Sequence, residues 1–216
     1  MIDAIFSEAK VGNPERFAAA IARFDEANAR DPNQEVFEKV AYPRELLYAR
    51  RVSDWVIKLC PDASEALRLA ARCQHICRWQ VPRDSYEMTR AGYLRWRSDL
   101  KALHAKKAGE ILHELRYEPE TVRKVQELNL KKNFPKDPET RVLEDALCLV
   151  FLQYQFEDLA KRTAEEKMVN ALRKSWMKMS PAGRAEALKL PFTLREKGLL
   201  EQALAADSGT TEATGV

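Results

Sequence analysis

Apolar residues return along this chain at helical spacing, and no stretch alternates for long enough to make a useful strand. Phe17, Ile21 and Phe24 mark a first helix. Asn13 stands before Pro14 and Glu15, the order of a cap, a first-turn proline and a first-turn acid. Asp31-Pro32-Asn33 breaks that helix. Pro43 opens a second, with an apolar stripe of Leu46, Leu47, Val52, Trp55, Val56 and Leu59 that ends at Cys60-Pro61-Asp62. Ser64 is placed to cap a third, which carries Leu67, Leu69, Ala70, Ala71, Cys73 and Ile76. Residues 78–89 hold Pro82, Asp84 and Ser85 without a period and read as a loop.

A long helix is expected over 90–115, and Pro119 lies in the first turn of another that faces Val122, Val125 and Leu128 inward. A basic, proline-containing connection covers 131–138. Residues 141–160 are apolar around much of the helix circumference, which places that helix centrally. Helices over 165–179 and 182–188 are separated by Ser180-Pro181, and a last one lies near 193–205. The fold class is therefore all-α. One multi-helix domain is expected over 1–205, with a disordered tail at 206–216, where Ser, Thr, Gly and Glu follow no period.

Composition sharpens this picture in two places. Only 7 of 216 residues are Gly, which favours continuous helices. The longest apolar run, 146–152, is far too short to span a bilayer, and the first residues lack the basic start of a leader. No membrane partner is expected, and the cytoplasm is the expected location, where the four cysteines would stay reduced. Charge decides little: Lys and Arg number 36 against 33 acids, so the balance of +3 does not by itself imply nucleic acid.

Chemistry is sought first at the histidines, of which there are three, His75, His104 and His113. His104 and His113 are nine residues apart on one helix, about 180° around it, so they do not share a site. Ala105, Ala108, Ile111 and Leu112 turn His104 inward and leave His113 at the surface. Asp145 precedes an apolar run, where a carboxylate must be paired, capped or metal-bound. It is a candidate base or metal ligand, or a salt-bridging or capping acid. Cys73 and Cys77 share a helix face and suit either a soft metal or core packing.

The most distinctive stretch is 78–97. Arg78, Arg83, Arg90, Arg95 and Arg97 alternate there with Trp79, Tyr86, Tyr93 and Trp96. Guanidinium groups bind phosphate through paired donors, and aromatic faces stack on bases. The same pattern also packs a loop by cation–π contact. Motifs for P-loop hydrolysis, the Gly-x-Ser-x-Gly elbow and the His-Glu-x-x-His zinc pair are missing from the sequence.

Five blocks carry a family resemblance: Leu47-Tyr48-Ala49-Arg50-Arg51, Gln74-His75-Ile76-Cys77-Arg78-Trp79, Gly92-Tyr93-Leu94-Arg95-Trp96-Arg97, the run from Leu143 through Glu144-Asp145 to Leu152, and Arg173-Lys174-Ser175-Trp176-Met177-Lys178-Met179-Ser180. Over about 40–190 they resemble the domain-of-unknown-function family 4202. More distantly, their order resembles the HD superfamily of metal-dependent phosphohydrolases, which implies an HD-like helical core. In that resemblance Tyr48 stands where a ligand His would be, Gln74-His75 where His-Asp would be, and Asp145 at the final Asp. His104 falls where some members add a second-metal His.

The resemblance implies one divalent metal, of open identity, held by His75, His104 and Asp145, with His75 and Asp145 catalytic. Arg78, Arg83, Arg95, Arg97, Trp79 and Tyr93 would hold the substrate beside Tyr48 and Gln74. The function expected is hydrolysis of a phosphorylated small molecule or nucleotide. The alternatives are a metal-free nucleotide- or RNA-binding module, and a helical interaction domain in which Leu194, Leu199, Leu200 and Leu204 form a partner face. Homo-oligomerisation is left open.

Overall fold

A computed structural model describes residues 4–6 and 11–208. Its described residues form ten α-helices and one short hairpin, so the class is all-α. The chain gathers into two compact units that divide after Leu143.

In the first unit, α1 (Pro14–Ala29) begins as the caps require, with Asn13 Oδ1 accepting from the Arg16 N–H. It buries Phe17, Ala20, Ile21, Phe24 and Asn28. The hairpin β1 (Gln34–Phe37) and β2 (Val40–Pro43) follows, antiparallel, with Glu35 opposite Tyr42 and Val36 opposite Ala41. This hairpin is the one strand pair among the described residues, and it stands where the sequence shows no useful alternation. Four-residue strands are too short to show alternation. Its turn uses Glu38 and Lys39, both at positive φ, in place of the Asn-Gly that advertises such turns.

Helix α2 (Arg44–Leu59) and α3 (Glu65–Cys73) come next. Ser64 caps α3 by accepting from the Leu67 N–H. Helix α3 packs on α1, α2 and α5 (Pro119–Leu130), and all its side chains from Leu67 to Cys73 are buried. It is the axis of the first unit. Arg68 is buried with it because its guanidinium donates to the carbonyls of Ala63, Ile5 and Pro61. Helix α4 (Arg90–Glu114) packs along α5 and buries His104, while His113 is exposed, as their spacing requires.

The division falls inside α6 (Pro138–Val150). A π-helical turn, Phe151–Gln155, then separates α6 from α7 (Phe156–Arg162), where one uninterrupted helix was expected. The second unit continues with α8 (Glu165–Lys178), α9 (Pro181–Ala187) and α10 (Leu194–Ser208), and α10 packs on α7 and α8. Helix α10 extends into the start of the tail expected at 206–216, and the remainder of that tail lies outside the described residues. Among the described residues no helix is long and apolar enough to cross a membrane.

Candidate functional site

The site is assembled by the start of α2, the turn that ends α3, and the middle of α4. Asp31 organises the first of these. Its Oδ1 accepts from the backbone and side-chain nitrogens of Asn33, and its Oδ2 accepts from the Glu45 N–H at 3.0 Å. Glu45 thus sits in the first turn of α2, buried to 7% exposure, with Tyr48 one turn further on the same face.

Helix α3 stops at Cys73, and the chain turns over residues 74–78. The Arg78 N–H closes onto the His75 carbonyl at 3.0 Å, and Cys77 takes the left-handed conformation, φ 56°. This turn sets His75 against Tyr48, ring on ring, with centroids 4.2 Å apart and planes within 4°. His75 Nδ1 lies 3.5 Å from Glu45 Oε2, and Arg78 Nε lies 3.7 Å from Glu45 Oε1. His104 comes in from α4, 5.6 Å from His75 between ring centroids. Its Nδ1 meets the Ile76 carbonyl at 2.8 Å. A carbonyl only accepts, so Nδ1 carries the proton and Nε2 keeps its lone pair.

Burial controls the charges here. It pushes the Glu45 carboxyl up to about 7, against the pull of Arg78 and with a push from Asp31; His104 and Arg44 pull the other way. It holds His75 well below 6.5, helped by the positive charges of Arg78, Lys131 and Arg97. It lowers His104 to about 3, with His75 adding to the effect and the Ile76 carbonyl and Glu45 opposing it. Near neutral pH both histidines are therefore neutral and Glu45 is close to half-ionised. Its contact with His75 is then a polar contact between a titrating acid and a neutral base, longer than a good hydrogen bond. Glu45 Oε2 has no hydrogen-bond partner among the described residues.

The structure therefore brings together Tyr48, His75, Arg78 and His104 of the expected residues. Gln74 is buried beside them in sequence, and its Oε1 has no partner among the described residues. Trp79 is half-buried in the 3-10 turn Arg78–Gln80. The rest of the arginine–aromatic stretch is largely spent on itself. Arg83 donates to the carbonyls of Tyr86, Glu87 and Thr89, and its guanidinium lies 6.0 Å from the rings of Tyr93 and Trp96. Arg78 lies 4.9 Å from the Trp96 ring and Arg97 5.8 Å from that of Tyr93. Arg95 is exposed. Arg83 thus takes part in packing the loop, while Arg78 and Arg97 also act on His75.

Asp145 belongs to the second unit. There its carboxylate accepts from the N–H and the hydroxyl of Ser180, the residue that caps α9. Gly183 leaves it room: a Cβ at that position would stand 2.6 Å from Asp145 Cγ. The carboxylate thus braces the residue that caps α9. Among the described residues no three His, Cys, Asp or Glu side chains are grouped to hold a metal ion.

Glu45 escaped the sequence reading. An acid in a first turn reads as an ordinary partner for the helix dipole. The available signal was its place one turn before Tyr48, on the face already singled out. An open groove of about 500 Å3 between α4 and α5, which includes Gly109, Gln126 and Lys132, holds none of the Glu45–His75 group. Its Lys106, Glu110, Arg123 and Glu127 pair along their own helices, as a solvated face does.

A family model described as a domain of unknown function (DUF4202) matches residues 18–200. No curated protein and no solved structure matches the chain.

Proposed function

The chain belongs to this family, and we propose that it hydrolyses a phosphorylated small molecule or nucleotide at the Glu45–His75–Arg78 group. The observation that carries the reading is one partly open imidazole beside a buried carboxyl and within the field of three cations. His75 touches Glu45 on one side, and Arg78, Arg97 and Lys131 act on it electrostatically. Cations that keep an imidazole neutral also favour an anion beside it, and a guanidinium matches phosphate oxygens. Meanwhile the Glu45 carboxyl, raised to about 7 beside that imidazole, gives the site one group in working range for proton transfer.

In the reaction, water adds to phosphorus and the ester P–O bond breaks. His75 takes the water proton, and the pair returns one proton to the leaving oxygen. Arg78 holds the phosphate and balances its charge. The distant likeness to the HD superfamily supports the same class, since Tyr48, His75 and His104 lie together. The chemistry proposed is that of the side chains themselves.

The test is turnover of a broad phosphoester panel, with metal content measured on the same samples. Wild type is expected to release phosphate from at least one monoester, and His75→Ala to lose roughly 10²- to 10⁴-fold in kcat. Silence of the wild type across the panel, or equal rates in His75→Ala, rejects the reading. Near-stoichiometric metal that His75→Ala loses would restore the metal-dependent version.

A further inference from the structure

The peptide group between Ile76 and Cys77 lies midway along the turn from His75 to Arg78, and it is gripped at both ends. Its C=O accepts from His104 Nδ1 at 2.8 Å, and its N–H donates to Asn28 Oδ1 at 3.2 Å. In a trans peptide these two groups point in opposite directions, so the grips come from opposite sides. One comes from α4 and the other from the last turn of α1. Both side chains are buried, Asn28 to 0% exposure and His104 to 3%.

The peptide needs holding. Left-handed backbone costs a residue with a side chain roughly 1–2 kcal/mol, and Cys77 pays it at φ 56°. A rotation of this peptide would relieve Cys77 and break the bonds that hold the turn carrying His75 and Arg78. The same corner also places the other half of the pair. The Asn28 carbonyl accepts from the Asp31 N–H at 3.1 Å, and Asp31 holds the Glu45 N–H. The end of α1 is therefore bonded to both sides of the Glu45–His75 contact.

We propose that Asn28 is a positioning residue of this site: by pinning the 76–77 peptide against His104, it fixes where His75 and Arg78 stand relative to Glu45. Only its binding consequence rests on the function proposed above.

The test uses the full chain and the imidazole 15N and 13C signals of its three histidines, with exposed His113 as internal reference. Asn28→Ala is expected to move the His75 signals and leave those of His113 in place. It is also expected to weaken inorganic phosphate about tenfold, because small misplacements at a site are costly. Asn28→Asp keeps an acceptor oxygen and is expected to return His75 towards its wild-type signals. Ser53→Ala removes a comparable buried hydrogen bond, Ser53 Oγ to the Ala49 carbonyl, away from the turn, and supplies the stability control. If Asn28→Ala does not fold, Asn28→Ser, with a shorter reach, is read in the same way. Unmoved His75 signals, with stability lowered as in Ser53→Ala, overturn the proposal. Moved His75 signals in a protein whose wild type binds no phosphate uphold the positioning role and reject the phosphate site instead.

Discussion

Two buried carboxylates, one in each unit, have been given opposite surroundings. Asp145 is 3% exposed and accepts from two donors of Ser180 at the start of α9. Glu45 is 7% exposed, has one oxygen near Arg78, and has the other beside a neutral imidazole with no hydrogen bond made. A buried acid surrounded by donors secures structure, because its charge is already compensated. A buried acid left short of donors is held ready to exchange its proton. The acid that looked catalytic from its position in the sequence is the satisfied one, and the acid that looked ordinary is the one left short of donors.

This contrast is exposed to direct attack. Asp145→Ala should give the largest effect, a loss of about 3 kcal/mol in urea unfolding, since two bonds to a charged acceptor go and the Ser180 N–H is stranded. Phosphate binding by the folded fraction should be unchanged. A variant as stable as wild type, or one that binds phosphate less well when folded, would erase the distinction between the two acids.

Glu45→Gln should do the reverse, with a smaller effect on stability that depends on pH. A carboxyl raised from 4.5 to about 7 on folding contributes stability below pH 4.5, and that contribution is lost as pH rises through about 7. The variant should therefore gain on wild type between pH 5 and 8 and run parallel to it below pH 4.5. Its pH–rate profile should lose the limb near 7. Parallel stability curves over the whole range would show that Glu45 does not titrate there. The smallest change is expected from Arg83→Ala. Loss of its bonds to loop carbonyls should cost about 1 kcal/mol and leave phosphate affinity as it was. A tenfold loss of affinity would return Arg83 to the substrate site.

Helix ends were the most legible part of the fold. Asn13, Ser64 and Ser180 each stand where the side chain now accepts from a first-turn N–H, and Pro14, Pro119 and Pro181 each open a helix. These are local effects, written within four residues of one another. The hairpin and the π turn were not legible: strands of four residues leave no period, and Phe151–Gln155 holds no Pro or Gly to mark a break in the helix. Within the site, scarcity of histidine pointed to His75, and the helical face pointed to buried His104. What could not be read was which acid would face them. Glu45 and Asp145 both border apolar stretches, and only the fold shows that one meets Ser180 and the other His75.

The turn that carries His75 lies between two sulfur atoms, and they have a consequence for how the site responds to reagents. Cys73 and Cys77 are free and buried. Burial pushes the Cys73 thiol up to about 12, against the bond from Asn129, and it raises Cys77 as well. A thiol that stays protonated is a poor nucleophile, a poor soft-metal ligand and slow to oxidise. The most readily oxidised element in the neighbourhood is thereby kept as inert packing on either side of the His75 turn.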